Sequence, residues 1–112
     1  MEKVENFKAP IVCNMVGRTG KPVANQFVVM MPDGCLFQSY KSRICYYNVD
    51  ENKLYFGTNW NYSRTTSKYL AQFLRAYAPN WYARIIAYGK RTFSGNIQQA
   101  IVDGVAAFVT NW

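Results

Sequence analysis

GTNWNYSRTTSKYLAQFLRAYAP, residues 57–79, leads from a polar loop rich in Gly, Asn and Trp directly into an amphipathic helix. The apolar side chains of that helix fall at i, i+1, i+4, i+5 and i+8, namely Tyr69, Leu70, Phe73, Leu74 and Tyr77. Ser63 or Thr65 is suited to cap the first turn, because its hydroxyl accepts a hydrogen bond from a free backbone N–H. Pro79 cannot continue the hydrogen-bond ladder. We therefore predict a helix from about Arg64 to Tyr77.

The sequence before this helix has the pattern of an antiparallel meander. Apolar, β-prone runs alternate with three short turn signals: GRTGK at 17–21, PDG at 32–34 and DEN at 50–52. Pro supplies a preset φ, and Gly tolerates the positive φ that tight turns require. We predict four or five consecutive antiparallel strands between residues 11 and 57, with the long helix packed across one face of the sheet.

The sequence after the helix predicts a helical C-terminal region. WYARIIAY, at 81–88, fits a second helix or a buried strand, and we favour the helix. NIQQAIVDG, at 96–104, ends in a glycine where a helix takes a left-handed terminal residue, and VAAFVTNW predicts a short last strand. The predicted fold class is α+β, in a single domain over residues 1–112. The predicted core residues are Phe27, Val29, Leu36, Leu70, Phe73, Leu74 and Ile101.

FVVMM, at 27–31, is apolar on both faces of a strand, whereas a strand with one wet face alternates. This pattern is typical of a central strand. The sheet face away from the helix then needs a cover, which the C-terminal segment, a second subunit or a partner could supply. Self-association as a two-fold homodimer is one expectation from this pattern.

Thirteen Lys and Arg against six Asp and Glu give the chain a formal charge of +7, which favours anionic partners. The cations are scattered, so a general solubility role is the alternative. No apolar run approaches the ~20 residues that cross a bilayer, and the N-terminal MEKVENFKAP has no apolar signal region. These features predict a cytoplasmic protein without a membrane partner. Cys13, Cys35 and Cys45 lack CxxC spacing and predict reduced core thiols.

Catalytic chemistry has little support in the sequence. The chain contains no histidine, so a Ser-His or Cys-His pair is absent. Most of its carboxylates lie in turn signals or in the N-terminal tail, and His, Cys, Asp and Glu do not cluster at metal-ligand spacing. GRTGK differs from a phosphate-binding loop in the distance between its glycines and in Pro22, and it predicts a hairpin turn. We expect no enzymatic activity, no metal and no cofactor.

Tyrosines and cations interleave on the middle strands, an arrangement that serves single-stranded nucleic acid through stacking and phosphate contacts. The residues are Tyr40, Tyr46, Tyr47 and Tyr55 with Lys41, Arg43 and Lys53. Sheet packing alone also favours tyrosine in strands, so the pattern leaves both interpretations open.

The loop and helix of the opening stretch offer a second group of candidates. Trp60 and Tyr62 stand beside Arg64, and Trp, Tyr and Arg are enriched in interface hot spots. The alternative for Trp60 is that it folds back onto the end of the core. Arg64, Lys68 and Arg75 lie opposite the apolar stripe, where a solvated helix face also explains them. The predicted partner-binding residues are Trp60, Tyr62, Arg64, Lys68, Arg75, Tyr40, Lys41, Arg43 and Tyr47.

Asn25-Gln26-Phe27, Phe37-Gln38-Ser39-Tyr40 and Trp60-Asn61-Tyr62-Ser63, leading to Lys68-Tyr69, resemble a family of short uncharacterised bacteriophage and prophage proteins. The resemblance covers about half of the chain. It implies a small α+β domain, a phage accessory gene and action in the host bacterial cytoplasm. By analogy it implies binding of a host protein or nucleoprotein complex, including inhibition of an immune effector. Nucleic-acid binding is the alternative function.

Overall fold

A computed structural model describes residues 11–112 as an α+β fold, in agreement with the sequence prediction. The strands are β1 (Ile11–Val16), β2 (Pro22–Met31), β3 (Gly34–Ser39), β4 (Ser42–Asn48), β5 (Lys53–Gly57) and β6 (Ala107–Val109). The helices are α1 (Arg64–Tyr77), α2 (Pro79–Ile86) and α3 (Phe93–Val102).

One sheet holds the six strands in the order β1-β2-β3-β4-β5-β6. The first five pair antiparallel and confirm the predicted meander, whereas β6 returns parallel to β5 after the helices. A parallel neighbour needs a long crossover, and the three helices supply it.

The helices begin and end close to the residues that the sequence predicts. Ser63, rather than Thr65, caps α1, because its Oγ accepts a hydrogen bond from the backbone N–H of Thr66 at 3.1 Å. The ambiguous 81–88 segment lies mostly in α2, so the preference for a helix is confirmed. None of the helices among residues 11–112 has the length and apolar character needed to span a bilayer.

The core lies between the helices and one face of the sheet. Phe37 of β3 stacks on Phe73 of α1, with ring centroids 5.8 Å apart. Trp81 of α2 and Ile97 of α3 join the same buried cluster, together with Phe56 of β5. Burial of such aromatic and aliphatic side chains is the main source of stability for a domain of this size.

The prediction that Phe27 and Val29 of β2 lie in the core is wrong, because the opposite face of this strand is buried. Gln26 and Val28 are buried, whereas Phe27 and Val29 are half-buried on the opposite face of the sheet. Val28 pairs with Phe37 in the register, which places it on the helix side. Side chains alternate along a strand, so a shift of one residue exchanges the faces, and an unbroken run such as FVVMM carries no alternation to set the phase. Ile101, also predicted as core, is half-buried at the edge of the cluster.

The cysteines divide into two classes. Cys35 and Cys45 are buried thiols, as predicted, whereas Cys13 is exposed on the edge strand β1. The prediction of a core position was wrong for Cys13 because an edge strand has a neighbour on one side only. Burial raises the pKa of Cys35 to about 11 and also raises the pKa of Cys45, so both side chains remain protonated near neutral pH.

Two neighbouring valines test which face of β2 is in the core. Val28→Ala should lower the free energy of unfolding by roughly 2–3 kcal/mol, since it removes methyl groups from a side chain that is 3% exposed and leaves a cavity. Val29→Ala, the matched control, should cost less than about 1 kcal/mol because its side chain is half-buried. Urea denaturation of both variants makes the comparison. Equal losses, or a larger loss at Val29, would contradict this strand phase.

Candidate functional site

The turns that carry positive charge and the turns that carry negative charge lie at opposite ends of the meander. The turns β1–β2 (residues 17–21) and β3–β4 (residues 40–41) lie at one end of the sheet, with the loop from β5 into α1 (residues 58–63). This basic end carries Arg18, Lys21 and Lys41. The turns β2–β3 (residues 32–33) and β4–β5 (residues 49–52) lie at the other end and form the acidic end, whose carboxylates are Asp33, Asp50 and Glu51.

A cavity of about 630 Å³ opens at the basic end, between the β3–β4 turn and the N-terminus of α1. We call it the hydroxyl cavity, because most of its lining residues carry a hydroxyl group. The lining consists of Ser39, Tyr40, Lys41, Ser42, Ile44, Asn59, Tyr62, Ser63, Thr65 and Thr66. It includes one cation and no carboxylate, so hydrogen bonding and positive charge determine which ligands suit it.

Hydrogen bonds between neighbouring elements shape the walls of the hydroxyl cavity. Ser63, the cap of α1, donates from its Oγ to Thr66 Oγ1 at 3.1 Å. Thr66 Oγ1 lies 3.5 Å from Ser39 Oγ, which links the helix to the end of β3. Asn59 donates from Nδ2 to Ser42 Oγ at 2.9 Å and ties the loop to β4. The polar lining is therefore organised without a ligand.

Two tyrosines stand at the rim of the hydroxyl cavity with most of their surface in solvent. Tyr40 is 60% exposed and Tyr62 is 76% exposed. Sheet packing, the alternative explanation for the strand tyrosines, does not account for a Tyr40 side chain this exposed. Exposed aromatic rings beside hydrogen-bonding groups and a cation are typical of recognition surfaces.

The backbone holds Tyr40 in a left-handed conformation, with φ of 54°. Its N–H donates to the carbonyl of Asn25 at 2.7 Å, and its own carbonyl accepts from Nε2 of Gln38 at 2.9 Å. A bulky residue with positive φ costs of order 1–2 kcal/mol relative to glycine. The fold tolerates this strain, and the result is an aromatic ring at the tip of a hairpin.

A second depression, of about 360 Å³, lies between α1 and the β1–β2 turn, and we call it the cationic groove. Arg18, Lys68 and Arg75 line it together with Val16, Gly17, Tyr69 and Gln72. Gln72 donates from Nε2 to the carbonyl of Val16 at 2.7 Å, which fixes the helix against the turn. Lys68 lies over the Tyr69 ring and Arg75 over the Tyr82 ring. The groove has no carboxylate in its lining, so these contacts leave its positive charge unneutralised.

The predicted site residues separate into groups. Tyr40, Lys41 and Tyr62 meet at the hydroxyl cavity, and Lys68 and Arg75 meet at the cationic groove. Arg64 is exposed in the first turn of α1. Arg43 shares a polar depression of about 390 Å³ with Lys41 and the C-terminal residues Thr110 and Trp112.

One predicted site residue, Trp60, belongs to the core, and a second, Tyr47, is half-buried against it. Trp60 is 5% exposed, and its ring centroid lies 5.9 Å from that of Phe56. It is therefore folded back onto the core, which was the alternative prediction for this residue. Tyr47 packs against the core on the helix side, and its hydroxyl donates to Asn52 Oδ1 at 3.2 Å. The sequence of a polar loop leaves both positions, binding surface and core, open for its tryptophan, because burial depends on contacts with β5.

Arg18 and the serine and threonine hydroxyls were missed by the sequence analysis. GRTGK was interpreted only as a turn, yet its arginine contributes to the cationic groove. A signal was available, because alternate turns of an antiparallel meander lie at the same end. The turns at 17–21 and 40–41 are separated by one turn, so the sequence could have predicted that their cations lie at the same end of the sheet.

The hydroxyl cavity and the cationic groove lie on a small α+β domain. Within residues 11–112, no three His, Cys, Asp or Glu side chains are grouped to hold a metal ion. Residues 11–91 match a family of unknown function, DUF8033, and the chain belongs to that family. The matched segment contains the residues that line both the hydroxyl cavity and the cationic groove. No curated protein and no solved structure matches the chain.

Replacement of Tyr40 tests whether the hairpin tip is strained. Tyr40→Asn should raise the free energy of unfolding by roughly 0.5–1 kcal/mol, because Asn adopts positive φ at lower cost and the lost ring buries little surface. Tyr62→Asn, at a position without positive φ, should change it by less than about 0.5 kcal/mol. Thermal and urea denaturation measure both. A loss of stability in Tyr40→Asn would show that the ring supports the fold.

Trp60 and Tyr62 form a second test within one loop. Trp60→Ala should destabilise the fold by roughly 3–5 kcal/mol, since a buried indole is replaced by a cavity. Tyr62→Ala should leave stability within about 0.5 kcal/mol of the parent. Calorimetry distinguishes them. Similar effects of the two changes would contradict the division into a core residue and a surface residue.

Proposed function

We propose that this chain is a small, non-enzymatic binding protein of phage origin, which acts in the bacterial cytoplasm by occupying a host macromolecule. Its partner is a host protein or nucleoprotein complex, and a bacterial immune effector is the class we favour, which makes the protein an anti-defence inhibitor. The observation that carries the proposal is the hydroxyl cavity, with two exposed tyrosines and Lys41 around a lining without carboxylates.

The surface chemistry supports an anionic partner. The cationic groove adds Arg18, Lys68 and Arg75 beside the hydroxyl cavity, and Arg64 lies exposed in the first turn of the same helix. Complementary charge raises the rate of encounter, and exposed aromatic rings provide contact area with few rotatable bonds. The resemblance to phage proteins supports the host setting, and inhibition by occupancy requires no catalytic group.

Binding of single-stranded nucleic acid is the second candidate, and the same rim favours it. Tyr40 and Tyr62 are exposed enough for bases to stack on, and Lys41 and Arg64 are placed to meet phosphates. Nucleic-acid binding releases counterions, so the logarithm of its binding constant falls steeply and linearly with the logarithm of the salt concentration. A protein complex that depends on shape and buried contacts loses less affinity as salt rises.

A two-fold homodimer stays a prediction. The sheet face opposite the helices bears half-buried Phe27 and Val29 and exposed Val12, which are suitable for contact with a second copy. Light scattering at high micromolar concentration tests it, and a strictly monomeric mass would remove it.

Capture from nuclease-treated host lysate, with tagged protein at moderate salt, tests the proposed function. Lys41→Glu should reduce the recovered host protein by about ten-fold, because it places a carboxylate at the hydroxyl cavity facing an anionic partner. Lys90→Glu is the matched control, since it makes the same change in charge at an exposed residue between α2 and α3, outside the linings of the hydroxyl cavity and the cationic groove, and should leave recovery unchanged. Tyr62→Ala should also reduce recovery.

Three outcomes would contradict the proposal. Equal recovery with Lys41→Glu and Lys90→Glu would show that net charge, and not the hydroxyl cavity, drives binding. Recovery of nucleic acid alone, lost as salt rises, would favour the second candidate. Recovery of no host macromolecule from any susceptible host would remove the claim of an occupied partner.

A further inference from the structure

Three aromatic rings gather on the sheet face opposite the helices, towards the acidic end. Tyr46 of β4 and Tyr55 of β5 are cross-strand partners with ring centroids 6.3 Å apart. Trp112 meets Tyr46 edge-on, with centroids 6.4 Å apart. Together with Asn48, Glu51 and Val109 they line a depression of about 270 Å³, which we call the aromatic cage.

Carboxylates hold both tyrosine rings of the aromatic cage. The hydroxyl of Tyr46 donates a short hydrogen bond to Asp33, and the hydroxyl of Tyr55 donates to Glu51 Oε1 at 2.8 Å. Asn48 links the two acids, since its Nδ2 lies 3.5 Å from Asp33 Oδ2 and its Oδ1 accepts from the backbone N–H of Glu51 at 2.9 Å. These hydrogen bonds orient the two phenol rings and place a carboxylate at the hydroxyl end of each.

Both rings remain neutral phenols near neutral pH. Burial, together with the hydrogen bond to Asp33, raises the pKa of Tyr46. The hydrogen bond to Glu51 raises the pKa of Tyr55. A phenol that donates to a carboxylate keeps its proton and presents an electron-rich ring face, which attracts a cation.

Gly57 of β5 lies directly beside the Trp112 indole. A Cβ at Gly57 would lie 2.9 Å from Cε3 of the Trp112 indole, too close for a side chain and a ring to coexist. The absence of that side chain lets the indole lie against β5. Trp112 is 40% exposed, so a large part of its surface still faces solvent for a ligand.

The chain itself shows that this part of the surface accepts positive charge. Nζ of Lys53 lies 5.9 Å from the centroid of the Tyr55 ring, within the range of a cation–π contact. Lys53 is not among the residues that line the cage, so its own ammonium group does not fill the depression. Negative charge and ring faces there complement a cation from another molecule.

We propose that the aromatic cage binds the guanidinium group of an arginine side chain on a partner protein. A planar guanidinium stacks on indole and phenol faces, and its hydrogen-bonding fork suits a carboxylate. Glu51 accepts from Tyr55 through Oε1 and lines the aromatic cage, so its second carboxylate oxygen is the acceptor that we assign to the guanidinium. A quaternary ammonium has no N–H to donate, and a lysine ammonium is more strongly hydrated and cannot stack as a plane. The site is independent of the hydroxyl cavity.

Titration with N-acetyl-arginine amide, followed by amide and indole NMR shifts, tests the cage. Binding should be weak, with Kd on the order of millimolar for one side chain, and the shifts should centre on Tyr46, Tyr55 and Trp112. N-acetyl-citrulline amide, the neutral planar analogue, should bind at least about five-fold more weakly. The lysine analogue and tetramethylammonium should also bind more weakly.

Variants locate the contacts. Trp112→Leu and Glu51→Gln should each weaken binding by about three-fold or more, while Tyr62→Leu, at the basic end, should have no effect. Glu51→Gln keeps an acceptor for Tyr55 and so tests charge even if Trp112→Leu alters the fold. The proposal would be overturned if the citrulline analogue or tetramethylammonium bound with the same affinity as the arginine analogue. Shifts centred on the basic end, or no shifts up to about 50 mM ligand, would also overturn it. Much tighter binding of free arginine than of the blocked form would overturn the assignment to a protein side chain.

Discussion

Alternation of turns in an antiparallel meander is the constraint on which the surface of this protein depends. Each strand reverses the chain, so every second turn lies at the same end of the sheet. The sequence places Arg18, Lys21 and Lys41 in one set of turns, at 17–21 and 40–41. It places Asp33, Asp50 and Glu51 in the other, at 32–33 and 49–52. A chain whose charges are scattered in sequence thus acquires a basic end and an acidic end, and α1 extends the basic end with Arg64 and Lys68.

The packing of all three described helices on one face of the sheet is the second feature that determines the surface. The helices pack on the face that carries Phe37, Cys45 and Phe56, with the Phe37–Phe73 stack between sheet and α1. The opposite face keeps Val29, Tyr46 and Tyr55 only partly buried, and Trp112 returns to it at the end of the chain. The helices therefore stabilise the sheet and leave its other face with aromatic side chains that solvent reaches.

Local patterns predicted the elements well and the placement of single side chains less well. The apolar stripe from Tyr69 to Tyr77 and the cap at Ser63 define α1, because helix period and capping are local properties. The phase of β2 could not be predicted, since an apolar run has no alternation. The sequence left Trp60 open between a binding surface and the end of the core, because its burial depends on contacts with β5. Tyr40 was predicted from the interleaving of tyrosines with cations and Tyr62 from the enrichment of Tyr in interface hot spots, and both side chains are exposed. Arg18 was missed because its grouping depends on topology.

The central claim is that the sorted turns give the protein a basic end that faces its partner. Its most direct test is amide-resolved NMR of the full chain, titrated at low salt with a short oligothymidylate as a polyanionic probe. The account predicts shifts at Arg18, Tyr40, Lys41, Tyr62 and Arg64, with the turns at 32–33 and 49–52 unchanged. Shifts spread evenly over all the lysines and arginines, or centred on the acidic end, would contradict it.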